Sequence, residues 1–348
     1  MEIQKAVTSY SSDIKNVTLL DLPWEKLSGS NLLITGATGL IGSCLVETLL
    51  SRPGKDYHVY ATGRNEERAR KRFLKYADDP AFHFFKYDVL SRLEGETDFQ
   101  YIIHAASNAS PNFFATKPVE VIKSNILGVS NLMDYGITHG LKRFLFVSSG
   151  EVYGEGDGRA FSEEYSGYVN PISPRSCYPS GKRAAETLCV AYGAEYGVET
   201  VIARPSHTYG PYFTESDNRV YAQFIRNVLR GEDIVMKSSG EQFRSWCYVV
   251  DCVSAILHIL LKGENGQAYN IADETSNISI KELAAMVAEI GGRSVVQDLP
   301  SGQEKAGFNV VSRSVFSTEK LCSLGWSVAG TMEDKMRRTI SEQRSGGV

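Results

Sequence analysis

Between Asn31 and Leu50 the chain passes from an apolar triplet, Leu32-Leu33-Ile34, through a glycine-rich turn into Leu40, Ile41, Leu45, Val46, Leu49 and Leu50. The triplet predicts a buried strand, and the later spacing of three and four predicts one face of a helix. Pro53-Gly54 closes that helix and His58-Val59-Tyr60-Ala61 predicts the next strand, completing a βαβ unit. Further strands are predicted at 82–85, 101–104, 144–147 and 200–203, with helical patterns over 118–138 and 179–196. Strand alternating with helix over two hundred residues predicts an α/β fold built on a doubly wound parallel sheet.

After Pro205 the alternation weakens, and Gly, Ser and charged residues punctuate shorter elements through Gly240. Cys247 to Leu261 reads as a strand and helix returning to the sheet, before an α-rich stretch from Ile278 onward. The division this predicts is an N-terminal extension over 1–28 and a dinucleotide-binding domain over 29–205, to which 247–273 return. A smaller, mostly C-terminal substrate-binding region takes 206–246 and 274–340.

Composition narrows the function. The 348 residues are 42% hydrophobic and 22% charged, which excludes a disordered chain. The formal charge of -4 provides no basic field for a nucleic-acid backbone, so a small-molecule partner is expected. The longest apolar stretch, near 249–261, is broken by Asp251, Cys252 and His258 and falls short of the roughly 18 residues of a membrane span. Glu2, Lys5, Asp13 and Lys15 leave the first thirty residues without the apolar core of a secretory signal, so a cytoplasmic location is expected. Six cysteines stand without a CxxC pair or a Cys/His cluster, predicting reduced thiols and no metal site.

The turn after the first strand reads Gly36-Ala37-Thr38-Gly39-Leu40-Ile41-Gly42. Glycines there let backbone approach a pyrophosphate, and the following helix N-terminus favours its charge, so Gly36, Thr38, Gly39, Leu40, Ile41 and Gly42 mark a dinucleotide site. The second strand ends Thr62-Gly63-Arg64-Asn65, without the acidic residue that bonds an NAD ribose. Arg64 suits the 2′-phosphate of NADP, and it would equally stack on adenine or stand in solvent, which leaves NAD and NADP both open. Asp88-Val89, after the third strand, is placed to bond the adenine amino group.

Tyr178 and Lys182, four apart at the start of a predicted helix, project from one face. A free phenol titrates near ~10, too high for a base at neutral pH, and a neighbouring ammonium stabilises the phenolate. Ser149, at the end of the strand over 144–147, supplies a hydroxyl to orient a reacting oxygen.

These residues together resemble the extended short-chain dehydrogenase/reductase family, in its nucleotide-sugar epimerases, dehydratases and decarboxylases, over about 30–330. The resemblance is carried by GATGLIG (36–42), HAAS (104–107), Asn125, SSGEVYG (148–154), Tyr178-Pro179-Ser180-Gly181-Lys182, ARPSHTYGP (203–211), and Gln242-x-Arg244 leading to Tyr248-Val249-x-Asp251. It implies a Rossmann-type fold with a bound NAD or NADP held also by Ala105, Ala106, Ser107 and Asn125. It further implies Tyr178 as base, Ser149 as its hydroxyl partner, Lys182 as ribose-binding activator, and a chemistry that starts by oxidising carbon 4 of the sugar. A homodimer through the helices near 118–138 and 179–196 is also implied.

The resemblance separates the reactions less sharply. Glu151 stands where dehydratases and UDP-glucuronate decarboxylases carry Glu and 4-epimerases usually do not, while Gly150 lacks the Asp with which many hexose dehydratases expel water. The stretches Pro174-Arg175-Ser176-Cys177-Tyr178 and Ser107-x-Ala109-Ser110-Pro111 look most like UDP-glucuronate decarboxylases, as does Arg219-Val220-x-x-Gln223. The implied substrate contacts are Ser110, Ser149, His207, Arg219, Gln223 and Arg244, with Arg219 and Arg244 as guanidinium clamps for the diphosphate. His207 replaces an Asn of those decarboxylases, and Lys237 falls where an aromatic often stacks near the base. UDP-glucuronate decarboxylation is therefore the expected activity, ahead of 4,6-dehydration and 4-epimerisation. A non-catalytic dinucleotide-binding regulator on the same fold is the alternative from another class.

Overall fold

Six strands follow one another through the first two hundred residues of the computed structural model, which describes residues 9–298 and 313–346. They are β1 (Asn31–Thr35), β2 (His58–Gly63), β3 (Phe82–Lys86), β4 (Tyr101–His104), β5 (Arg143–Val147) and β6 (Glu199–Pro205), all parallel. With β10 (Gln267–Ile271) they form a seven-stranded sheet in the order β3-β2-β1-β4-β5-β6-β10. Leu32, Leu33, Ile34, Ile102, Ile103, Phe144 and Leu145 are all buried, as expected of strands covered on both faces by helices.

The connections carry those helices: α2 (Leu40–Ser51) after β1, α3 (Glu66–Arg72) after β2, α4 (Pro111–Thr116) and α5 (Pro118–Thr138) after β4, and α6 (Cys177–Tyr196) after β5. Pro118 opens α5, where its missing N–H costs nothing, and Gly197 closes α6 in the left-handed conformation. The chain steps outward from β1 to β2 and β3, then returns to the other side of β1 for β4. The loops leaving β1 and β4 therefore splay apart at this reversal, the crevice in which an open α/β sheet binds ligand.

Beyond β6 a smaller region takes over. Strands β7 (His207–Tyr209), β9 (Phe243–Tyr248), β11 (Asp273–Ser279) and β13 (Arg313–Ser314) make a second sheet with β9 at its centre. Helix α7 (Val220–Leu229) packs against α9 (Ile280–Gly291), which a Ser279/Glu282 capping box starts, and β8 (Ile234–Met236) pairs with β12 (Val295–Gln297). The strand and helix expected over 247–261 part company here. Cys247 and Tyr248 finish β9 in the small sheet, α8 (Val249–Lys262) lies against α2, and β10 is the strand that rejoins the large sheet.

Residues 9–28, expected to extend ahead of the first strand, pack onto this core. Ser9 caps α1 (Tyr10–Thr18), which lies on α2 and α8 and buries Tyr10, Ile14 and Val17, with Leu22, Trp24 and Leu27 following. Asp13 accepts from Tyr248 Oη at 3.2 Å and pairs with Arg338 Nε at 2.8 Å, which ties α1 to α11 (Met332–Ser345), the helix that follows the short α10 (Glu319–Cys322). From α11 the buried Lys335 Nζ reaches Asp251 at 2.7 Å and Asp273 at 3.7 Å. Among the described residues no helix is long and apolar enough to cross a membrane.

Candidate active site

At the reversal between β1 and β4, Gly36 takes φ +68°, and a Cβ there would stand 2.7 Å from the backbone of Ala106. A Cβ on Gly42 would collide with the Gly36 carbonyl, so both glycines are fixed by close backbone approach. Gly39 caps α2 without a side-chain hydrogen bond, leaving the first-turn amides of Leu40 and Ile41 directed out of the helix end. Thr38 borders Gly63 at the end of β2, and Ala105 and Ala106 form the opposite wall.

Other expected cofactor residues lie around this cradle. Asn125, fully buried on α5, accepts from Ser107 Oγ at 3.0 Å and donates to the Val121 carbonyl at 2.8 Å, which fixes the loop after β4. Asp88 accepts from the Leu90 amide at 3.1 Å and so shapes the turn after β3, beside the buried Val89. Arg64 reaches across to Glu120 of α5 at 2.9 Å. Beneath the cradle, His104 bonds Thr35 Oγ1 at 2.7 Å, and burial holds its imidazole neutral, far below the usual range.

Tyr178 and Lys182 emerge from the first turns of α6, both nearly fully buried. Lys182 Nζ donates to the Val147 carbonyl at 2.8 Å and lies 5.8 Å from the centre of the Tyr178 ring. The Tyr178 phenol lies close to Ser149, the cap of a short turn of 3₁₀-helix at the end of β5, whose Oγ accepts from the Glu151 amide at 3.2 Å. Burial pushes that phenol up to about 12, with the Glu151 carboxylate adding and Ser149, Arg219 and Arg175 opposing. Burial pulls Lys182 down to about 7, against the pull of Glu186. The phenol is thus protonated at neutral pH and needs added positive charge beside it to ionise, while Lys182 titrates close to neutral pH.

Glu151 is gripped by Arg175, whose Nη2 lies 2.8 and 2.9 Å from the two carboxylate oxygens. The same guanidinium covers the Phe114 ring at 4.6 Å, and Phe114 stacks on Tyr178 with centroids 4.7 Å apart. A cation, a ring and the phenol therefore form one column from α4 to α6. Gly150 is pressed against Phe316, and a Cβ at position 150 would collide with the Cζ and Cε1 atoms of that ring.

A cationic wall comes from the small region. Arg219, preceding α7, pairs with both oxygens of Asp217 at 2.6 and 2.9 Å, donates to the Thr208 carbonyl, and lies near enough to Tyr178 to favour its ionised form. The buried Arg244, on β9, faces Glu151 and donates to the Phe243 carbonyl at 3.1 Å. His207, on β7, tilts against Trp246, and desolvation in the cleft, then Arg244 and Arg219, lower its pKa, so it presents a neutral ring. Ser110 caps α4 and donates to Asn218 at 2.7 Å, whereas Gln223 stands exposed on α7 and Lys237 is exposed after β8. No group of three or more His, Cys, Asp or Glu suited to a metal occurs among the described residues.

Residues 32–272 match the model of the NAD dependent epimerase/dehydratase family. The chain belongs to that family. As a family member it is 38% identical over 266 residues to UDP-glucuronic acid decarboxylase 6 of Arabidopsis thaliana, covering 76% of this chain and 75% of that protein. It is 34% identical over 316 residues to UDP-glucuronic acid decarboxylase 1 of Xenopus tropicalis, covering 89% and 71%. A solved UDP-glucose 4-epimerase of Thermotoga maritima with UDP-glucose superposes with a TM-score of 0.75 at 25% identity, covering 90% of this chain and 99% of that one. The family's NAD fits the cradle: Gly36 and Gly42 let the turn fold tightly against the Ala105–Ala106 backbone and the start of α2, and the α2 N-terminus has no capping side chain of its own to satisfy it.

Sequence reasoning missed three participants. Arg175 lay inside a quoted motif, but its pairing with Glu151 depends on a turn after β5 that no periodicity specifies. Phe316 comes from 166 positions beyond Gly150, delivered by the pairing of β13 with β9. Asp217 compensates Arg219, and the spacing Asp217-x-Arg219 was the available signal.

Proposed function

We propose that this enzyme removes the carboxylate of UDP-glucuronate as carbon dioxide, leaving a UDP-pentose, with Ser149, Glu151, Tyr178 and Lys182 as its catalytic residues. Bound in the cradle, NAD+ would accept a hydride from carbon 4 and give it back to the same carbon after carbon dioxide has left, so that no net redox change remains, and its positive ring would favour the Tyr178 phenolate. Tyr178 takes the proton of the carbon 4 hydroxyl while Ser149 holds that oxygen, and Lys182 stabilises the phenolate and binds the ribose. The resulting 4-ketone makes the carbon 6 carboxylate a β-keto acid. When its C5–C6 bond breaks, the electron pair passes into the ketone as an enolate, and a proton is then required at carbon 5. Glu151, steered by Arg175, manages that proton, and Tyr178 returns its own to the carbon 4 oxygen.

The observation that carries this reading is the surroundings of positions 150 and 151. Glu151 faces the phenol, while position 150 bears no acid and is backed by the buried Phe316, so no side chain there protonates a leaving hydroxyl. The curated relatives named decarboxylases support the same reaction over 4,6-dehydration and 4-epimerisation. Arg219, Arg244, His207, Ser110 and Gln223 make up the proposed nucleotide-sugar wall, with the two guanidiniums for phosphate oxygens. Offered a panel of UDP-glucuronate, UDP-glucose and dTDP-glucose, the protein is expected to convert only the first, read as carbon dioxide loss by mass spectrometry. Conversion of a neutral hexose with loss of water would replace this reading by the dehydratase.

The packing at position 150 has a direct consequence. Gly150→Ala should lower the unfolding free energy by roughly 1–3 kcal/mol, the usual cost of overpacking, and Phe316→Leu in the same chain should restore part of it. Urea unfolding of the single and double variants checks this, and additive losses would contradict the contact.

A homodimer and a cytoplasmic location complete the proposal. Val119, Leu127, Val190 and Tyr196 leave apolar surface exposed on α5 and α6, the faces available to a second copy, and light scattering decides the oligomeric state. All six cysteines are free and five are buried, as suits a reducing compartment.

A further inference from the structure

The second strand ends without an acidic residue, yet a carboxylate stands beside its end from elsewhere in the chain. Arg64, just past β2, donates from Nη1 to Glu120 Oε1 at 2.9 Å and from Nη2 to Asn108 Oδ1 at 3.3 Å. Asn108 Nδ2 in turn donates to the same Glu120 oxygen at 3.1 Å, and Lys117 Nζ lies 3.6 Å from the other oxygen. Three elements are thereby joined beside the cradle, where Thr38 meets Gly63: the end of β2, the loop after β4 and the first turn of α5.

We propose that Glu120 sets the cofactor preference, occupying the Arg64 guanidinium so that the ribose end of the cradle accepts NAD and rejects NADP. The proposal rests on the dinucleotide reading of the Gly36–Gly42 cradle and holds whichever sugar the enzyme takes. An unengaged Arg64 at the end of the second strand would be the natural partner of a 2′-phosphate. Here a 2′-phosphate must share Arg64 with two acceptors that already engage it and lie beside the Glu120 carboxylate, a like charge. A 2′-hydroxyl meets neither obstacle, and it can donate to a carboxylate. The contact and charge of Arg64, then the Lys117 charge and the Asn108 amide, hold the Glu120 carboxyl below its usual range against its desolvation, so its charge is present throughout the neutral region. Lys117 and Arg64 are both half-exposed, so solvent screens the two cations to a similar degree.

Dissociation constants of NAD+ and NADP+ for protein freed of co-purified nucleotide, measured by titration calorimetry without sugar, test this. The wild type is expected to bind NAD+ more tightly, and Glu120→Gln should narrow the preference roughly tenfold or more through tighter NADP+ binding, the scale of one charge-assisted contact. Adding Arg64→Met to Glu120→Gln should abolish that gain, because the freed guanidinium is its source. A preference unchanged by Glu120→Gln, or a gain that persists without Arg64, would overturn the proposal. A wild type that binds neither nucleotide would instead overturn the cradle reading beneath it.

Discussion

Tyr178→Phe is expected to lower the rate of carbon dioxide release from UDP-glucuronate by about 10²–10⁴-fold, the range a single general base contributes. The substitution removes only the hydroxyl, and the ring keeps its stack on Phe114, so the melting temperature should change little. Glu151→Gln should behave differently. It keeps the phenol proposed to start the reaction, so mixing with substrate should still reduce the bound cofactor, visible as nicotinamide absorbance, while the later steps slow and that signal accumulates. Equal loss of cofactor reduction in the two variants would refute the division of labour between phenol and carboxylate. Because Glu151 is among the groups raising the Tyr178 phenol, Glu151→Gln should also move the pH dependence of cofactor reduction towards lower pH.

The largest expected effect on stability comes from Lys335→Met. Lys335 is buried against Asp251 and Asp273, and its removal leaves one buried and one partly buried carboxylate without their cation. Breaking such a group from one side costs about 3–5 kcal/mol, which urea unfolding near neutral pH would register as a large fall in midpoint. The loss should depend on pH with a definite sign. Burial raises Asp251 to about 6, Lys335 pulls it back, and Asp273 and Asp13 add to the rise. A carboxyl raised in the folded state holds its proton more tightly than in the unfolded chain, so its contribution is complete below about 4 and is lost as pH rises through its folded value. Without Lys335 that folded value climbs further, so the variant should recover part of its stability on acidification towards about pH 5. A pH-independent loss would mean that Lys335 acts through packing alone.

Much of this architecture was legible because its signals are local. The triplet Leu32-Leu33-Ile34 and the helical spacing from Leu40 to Leu50 each state their own element, and Gly36 and Gly42 state a backbone approach that only glycine permits. Tyr178 and Lys182 were legible as a pair because one helical turn joins them. What stayed hidden depends on distant segments meeting. The Arg175 grip on Glu151 and the Glu120 grip on Arg64 are long side chains spanning loops, and charge alone does not say which partner each will take. Residues 9–28 read as polar at the level of composition, yet Tyr10, Ile14, Val17, Leu22 and Trp24 are spaced to bury one side on α2 and α8. Asp251 was read as part of a family motif, and its partner Lys335 lies on the last helix, 84 positions away.

UDP-glucuronate labelled with carbon-13 at carbon 6 tests the central claim most directly, with gas and nucleotide products followed in the same incubation. The proposed chemistry predicts that the label leaves entirely as carbon dioxide, matched by an equal amount of UDP-pentose and no net build-up of reduced cofactor. Label retained in the nucleotide sugar, whether as untouched substrate or as its 4-epimer, would contradict it.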